Sequence, residues 1–276
     1  MSAENPTPTV PKTLKMLLAG AYARSESGAT FAVAGCEIPD ASRKDVRDAV
    51  RAGATAAVAW SNRDPYNRGQ ILYRVAEMLD SRRLEFEDML CSLGISPETA
   101  REDLTQAVVT WVHYAGWCDK LGQVLATVND VPAGMFSCTS VEPLGLVASV
   151  FDSAPSVDAL SRSVAAALAC GNAALVLGGG AWSIPALVFG EVLGVSDVPS
   201  GVVQILTTTR PEASRTAAAA SQVQGLDLSC AGAGSVELAV AASETFTRVI
   251  RKSPADPLAA LRWQVERKTF WHPIAR

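Results

Sequence analysis

The stretch Ala165–Leu177, AAALACGNAALVL, constrains this chain more than any other. It reads as the end of an Ala-rich helix, a Gly-Asn turn and a short, wholly apolar strand. Gly171 suits the left-handed backbone that closes a helix, and Asn172 tolerates that region better than most residues. A strand such as Ala173–Leu177 has no polar face. Both of its faces must therefore be covered, as in a parallel sheet wrapped by helices. Gly178-Gly179-Gly180 follows, where the rim of a nucleotide site would be expected to carry polar side chains.

From Glu142 onward strand and helix alternate. Strands are expected over Leu146–Phe151, Ala173–Leu177, Gly201–Leu206, Leu226–Leu228 and Arg248–Ile250. Between them lie helices over Ser156–Cys170, Ser183–Leu193, Glu212–Gln222 and Ser235–Phe246, with Ser156 and Ser183 as caps and Pro185 in a first turn. Such alternation predicts a parallel sheet wrapped by helices, with right-handed crossovers. In such a sheet the ligand crevice lies at the carboxyl ends of the strands. Those ends are Phe151-Asp152-Ser153, Leu177-Gly178-Gly179, Leu206-Thr207-Thr208 and Ser229-Cys230-Ala231.

Upstream, Lys15 to Val33 reads as a small strand pair about a Ser-Glu-Ser-Gly turn. Four helices follow. The first opens at Ser42, with Asp45 completing a capping box, and ends near Ser61-Asn62. The next two span about Pro65–Arg82 and Arg83–Leu93. The fourth starts at Ser96-Pro97 and runs through WVHYAGWCDKL, where Trp111, Tyr114 and Trp117 form a packing stripe beside a structural or surface His113. Residues 123–141 change character and read as a two-stranded ribbon around an Asn-Asp-Val-Pro-Ala-Gly loop. The ribbon needs a third strand or a covering surface. Beyond SPADP, the segment LAALRWQVER reads as a short helix and Thr269-Phe270-Trp271 as a last strand.

With 276 residues, 49% of them hydrophobic, the chain can bury a large core. A net charge of −4 without a basic block gives no reason to propose nucleic acid or an anionic membrane. No apolar run approaches the roughly 20 residues of a transmembrane helix. The opening MSAENPTPTVPK lacks signal-peptide order and reads as a loose tail, which points to a cytoplasmic setting. The six cysteines form no CxxC pair, and His113 and His272 lie far apart in sequence, so a metal site is not expected.

Together these segments resemble the NAD-binding half of the aldehyde dehydrogenase superfamily, from about Lys15 to Lys252. LLAGAYARSESGATFAV resembles its opening strands. DVRDAVRAGATAAVAW and RGQILYRVAEMLDSRR resemble its first helices. YAGWCDK and the ribbon after it resemble its bridging helix and oligomerisation ribbon. Glu142-Pro143-Leu144-Gly145 matches EPxG, AAALACGN matches APALAAGN, and the segment Asp197–Leu206 is similar to LPxGVVNVV. The resemblance implies a Rossmann-like doubly wound sheet formed by 1–122 and 142–253. It also implies an oligomerisation lobe from 123–141 with 261–276, since LRWQVERKTFWHP resembles the family's last helix and strand, which pairs with the ribbon.

Against that pattern the chemistry is degenerate. Leu177 and Gly180 stand where the resemblance places the Lys and Glu that hold the adenosine ribose. Ser229 and Ala231 fall in the FTGS turn, which becomes Leu228-Ser229-Cys230-Ala231, and the GxG that follows GVVNVVT in the family becomes Thr207-Thr208-Thr209. Gly232-Ala233-Gly234 is a residual glycine pair. The oxyanion Asn has no counterpart in Asp152-Ser153-Ala154-Pro155-Ser156. Val249-Ile250-Arg251-Lys252 runs into SPADP, without the ELGGKSP and GQxC segments that carry the general base and the nucleophile. No catalytic residue is therefore assigned. Cys230 is the one thiol singled out for a reactivity test, and Cys170 is expected to be packed. No cofactor is expected, NAD being the family alternative. The resemblance then implies a non-catalytic subunit. It would form a homo-oligomer, or a hetero-oligomer with a full-length aldehyde dehydrogenase, through 123–141 and 268–273. An NAD-dependent aldehyde oxidoreductase completed by another chain, and a small-molecule sensor, are the alternatives.

Overall fold

The computed structural model describes residues 13–132, 134–152 and 154–274. The opening tail, Ala133 of the ribbon loop and Ser153 at a strand end lie outside the described residues. Four short strands come first, β1 (Met16–Leu18), β2 (Ala21–Ala23), β3 (Thr30–Val33) and β4 (Cys36–Pro39). They form two hairpins, β1 with β2 and β3 with β4. Each turns on an Ala-Gly pair with both residues at positive φ: 51° and 80° at Ala19-Gly20, 47° and 79° at Ala34-Gly35. That is the type I′ geometry whose twist matches paired strands. The expected single pair about Ser25–Gly28 is thus corrected to two, because the turn chemistry sits at Ala-Gly rather than in the polar stretch.

Helices α1 (Arg43–Ser61), α2 (Pro65–Ser81), α3 (Arg83–Ser92) and α4 (Pro97–Ala115) follow. The α1 capping box is formed: Ser42 Oγ accepts from Asp45 N, and Asp45 Oδ2 accepts from Ser42 N. Helix α4 stops at Gly116, and residues expected to open the ribbon form a short helix, α5 (Leu121–Leu125), instead. Leu121 and Leu125 share one buried face, so the apolar run there has helical period. The ribbon proper is β5 (Thr127–Asn129) and β6 (Met135–Pro143).

The second half is β7 (Leu146–Phe151), α6 (Val157–Ala169), β8 (Ala173–Gly178), α7 (Ser183–Gly194), β9 (Val203–Thr207), α8 (Pro211–Ala218), β10 (Val223–Cys230), α9 (Ser235–Ser243), β11 (Arg248–Ile250), α10 (Pro257–Trp263) and β12 (Val265–Pro273). Ser183 was expected to cap α7. It lies inside the helix after a 3-10 turn at Gly180–Trp182, and its buried hydroxyl has no partner.

Seven strands form one sheet in the order β11-β10-β7-β8-β9-β1-β2. The five from β11 to β9 are parallel, and β1 and β2 are added antiparallel at the edge. Helices α1, α8 and α9 pack on one face. Helices α6 and α7 pack on the other, with α2, α3 and α4 as a further layer. Every residue of β7 and β8 is buried, as expected of strands covered on both sides.

The Gly-Asn turn lies at the amino end of β8. Gly171 takes φ +85°. Asn172 is fully buried: its Oδ1 accepts from Gly145 N at 2.9 Å, and its Nδ2 donates to Gln264 O at 2.8 Å. This one side chain therefore ties the turn before β7 to the junction of α10 and β12. Strand β12 pairs antiparallel with β6 over nine residues, Val265 opposite Pro143 through Pro273 opposite Met135, and closes a sheet of order β12-β6-β5. Thr139 and Thr269 share a hydroxyl contact of 2.9 Å, and Lys268 pairs with Glu142.

Candidate functional site

The chain fills the sheet outward from β7 through β8 to β9, then returns to the far side of β7 with β10. The topological switch point, where open α/β sheets place their ligands, is thus at the carboxyl ends of β7 and β10. Their register shifts between Asp227 and Cys230, pairing resumes at Cys230 opposite Phe151, and Asp152 N donates to Cys230 O at 2.8 Å. A cleft of about 670 Å³ opens above this point. Its floor is Phe151, Asp152, Gly178, Gly179 and Ala231, and its walls come from α8 (Pro211, Arg215) and α9 (Glu237, Leu238).

The glycines of the rim have a steric cause. A Cβ on Gly178 would stand 2.5 Å from Phe151 O and 2.7 Å from Trp182 Cε3. One on Gly179 would stand 2.5 Å from Thr208 O. Trp182 is buried and stacks on Phe151, with ring centroids 4.8 Å apart and planes at 10°. The indole fills space beneath the rim, and the backbone closes over it only where side chains are absent. Gly180, at φ +63° with open space around its Cβ position, is chosen for backbone freedom instead.

A second feature fixes the cleft's edge. Asp40, just past β4, accepts from Thr209 N at 3.0 Å, from Thr208 Oγ1 at 3.1 Å and from Arg210 Nε at 2.9 Å. Burial pushes this carboxyl up, but the Thr209 amide, the Arg210 guanidinium and the Thr208 hydroxyl outweigh it and hold it below the ordinary aspartate range. The loop after β9 is thereby latched to the first hairpins, and the Arg210 charge is spent on Asp40. Of the remaining charged groups lining the cleft, three are acidic (Asp152, Glu212, Glu237) and one is basic (Arg215). Asp152 matters most. Its Oδ2 lies 2.7 Å from where a Cβ of Gly232 would be, at the turn that leads into α9. The carboxylate therefore stands beside the turn that precedes α9.

Of the positions flagged in the sequence, Gly180 and Ala231 line this cleft and Leu177 does not. Leu177 is fully buried in β8, paired across to Val150 and Leu206. Ser229 faces a different cavity on the α6 side of the sheet, as does Cys230. Gly232 abuts Asp152 while Gly234 lines the cleft. Cys170 and Cys118 are buried away from both. Burial pushes the Cys118 thiol up to about 12 and the Cys170 thiol still higher, so neither supplies a thiolate nucleophile at neutral pH. Among the described residues, no group of three His, Cys, Asp or Glu side chains could hold a metal ion. No helix among them is long and apolar enough to cross a membrane. Asp40, Trp182 and Asp227 escaped the sequence reading. Only Asp227, a charge inside the short strand motif Leu-Asp-Leu, carried a local signal.

A doubly wound sheet with a cleft at its switch point defines the open α/β class of fold, which places its ligands there. Comparison narrows the class. The aldehyde dehydrogenase family profile matches residues 31–252, and the chain belongs to that family. Hydroxyisobutyraldehyde dehydrogenase of Mycolicibacterium austroafricanum is 33% identical over 235 residues, covering 82% of this chain and 46% of that protein. Human retinal dehydrogenase 2 is 28% identical over 236 residues, covering 81% of this chain and 44% of its own length. An NAD+ complex of an aldehyde dehydrogenase from Bacillus cereus superposes with a TM-score of 0.78 at 20% identity, over 86% of this chain and 50% of that one. The NAD-dependent aldehyde dehydrogenase of Sinorhizobium meliloti gives 0.79 at 20% identity, over 90% and 51%. The chain thus spans about half the length of the relatives it matches. The fold neighbours include NAD complexes, so the expectation that this chain takes no cofactor has no support from the comparisons.

Proposed function

We propose that this polypeptide serves as a non-catalytic, associating subunit of the aldehyde dehydrogenase type. The observation that carries the reading is internal to the chain. Residues 251–256 connect the sheet edge at β11 directly to α10, and β12 then closes the ribbon. Arg248 fastens this junction by donating to Trp263 O at 2.9 Å and to Val265 O at 2.8 Å. The β6–β12 ribbon is well formed and leaves Phe136, Phe270 and Trp271 exposed (44%, 52% and 60%). Phe270 and Trp271 lie on β12, the edge strand of this sheet, and exposed aromatics on an edge strand favour pairing with another chain. The occupant we favour is a second copy, or a full-length family member bearing the same ribbon.

The second reading is aldehyde oxidation with a dinucleotide, the reactive Cys and Glu coming from another polypeptide. Family membership and the cleft's apolar wall, Pro211 and Leu238, favour it, since a flat base could lie there. The three carboxylates and the absence of a ribose-gripping pair weigh against it. A small-molecule sensor remains a third use of the same cleft.

Native mass spectrometry tests the favoured reading, on the chain alone and after co-expression with a full-length aldehyde dehydrogenase. An oligomer is expected, reduced to monomer by Phe270→Ser with Trp271→Ser. A strict monomer in both preparations overturns the proposal.

A further inference from the structure

On the sheet face opposite α8 and α9 lies a separate cavity of about 530 Å³, between α4, α6 and the segment that leads through α10. Its floor is a row of sheet residues in register, Ser149 on β7, Asp227 on β10 and Ile250 on β11. An acid in the middle of a parallel sheet is costly unless its lone pairs are used. Asp227 Oδ1 accepts from Ser229 N at 2.9 Å, and the Ser163 hydroxyl of α6 also reaches the carboxyl. Ser163 in turn shares a 2.5 Å contact with Ser149. Two serines, Ser229 and Ser163, therefore hold the carboxyl at the cavity floor, and Ser149 supports Ser163.

The other charges around the cavity are already matched. Arg162 pairs with Asp158 at 2.6 Å, and Asp158 also accepts from Thr110 Oγ1 at 3.0 Å. His113 of α4 accepts from Trp117 Nε1 through its Nε2 at 3.1 Å. The remaining walls are largely apolar and include the aromatic rings of Tyr114 and Trp263. Burial pushes Asp227 above the ordinary aspartate range, against the pull of the Ser229 and Ser163 hydrogen bonds. The cavity thus holds one unmatched acid, a lining suited to an apolar body, and a volume suited to a small molecule.

We propose that this cavity is a binding site for a small organic ammonium compound, its amine paired with Asp227 and its apolar body against Tyr114, Ile250 and Trp263. An anion finds no unpaired cation there, since Arg162 is held by Asp158. A protonated amine supplies the charge that Asp227 lacks and can also meet the faces of the two rings. This inference is independent of the subunit role and of the dinucleotide cleft, because Asp227 lines neither that cleft nor the ribbon.

Calorimetric titration of the full chain with benzylamine, against benzyl alcohol as the neutral isostere, tests it. Saturable benzylamine binding is expected, with benzyl alcohol weaker by about tenfold or more. Asp227→Asn should remove that difference. It should also raise the melting temperature of the ligand-free protein, since it deletes a carboxyl that is costly to bury. Benzylamine should protect the wild type and not the variant from heat. The pH profile has a definite sign. Affinity holds while Asp227 is ionised and falls as pH drops through its raised pKa, while the amine itself stays charged. His113, Asp158, Arg162, Tyr114 and Cys230 are the other titratable groups facing this space. Equal binding of amine and alcohol by the wild type overturns the proposal, as does benzylamine binding that survives Asp227→Asn. If the variant does not fold, the wild-type comparison of the two isosteres and the pH profile decide alone.

Discussion

Gly178 has no space for even a methyl group, between the Phe151 carbonyl and the face of Trp182. Gly178→Ala should cost about 3 kcal/mol through displaced backbone and a disturbed indole stack. The neighbouring Gly180→Ala should cost only about 1–2 kcal/mol, from positive φ alone. Thermal melts of the two variants check this, and equal losses would contradict the packing account. The same two residues mark how far the sequence could be read at this scale. The run of three glycines was visible and signalled an unusual rim. Its cause was not, because Trp182 approaches from the following turn and the Phe151 carbonyl from another strand. Leu177 is the sharper case. A match of motifs places it in a ribose site, whereas its own chemistry, an aliphatic side chain at the end of an apolar strand, puts it in the core.

The loop after β9 is held by Asp40 from outside its own sequence neighbourhood, and this tether has a pH dependence. A carboxyl whose folded pKa is depressed contributes stability that is fully present above its unfolded value, near 3.8, and is lost as pH falls through the folded one. The wild type should therefore lose stability on acidification below about pH 4 more steeply than Asp40→Asn, with hydrogen exchange rising first at Thr208 and Thr209. Parallel acid profiles for the two proteins would refute this. Among elements, the parallel strands and the long helices were legible, since burial on two faces and capping residues leave clear marks. The opening hairpins were not, because Ala-Gly is a weak turn signature beside Asn-Gly. Helix α5 was missed because five residues are too few to separate helical from strand period.

For the molecule as a whole, the family fold is present over residues 31–252, and the subunit role is a proposal that its chemistry has been given up. The architecture was legible because many weak segments agreed in order. The cleft's character was not, because it depends on charges gathered from loops distant in sequence, Asp152, Glu212, Glu237 and Arg215. Titration with NAD and NADP should show no saturation at micromolar concentrations, and Asp152→Asn should improve binding several-fold by removing a like charge from the phosphate path. Micromolar affinity in the wild type would restore the dinucleotide reading. The ribbon carries one more consequence, for synthesis rather than for binding. Glu142 and its partner Lys268 are 126 residues apart in sequence. At about 5–20 residues per second, β6 waits on the order of ten seconds on a translating ribosome before β12 emerges to cover its edge. In a polysome that open edge faces other nascent copies of itself. Expression that slows elongation downstream of Pro143 should therefore enrich aggregates joined through β6.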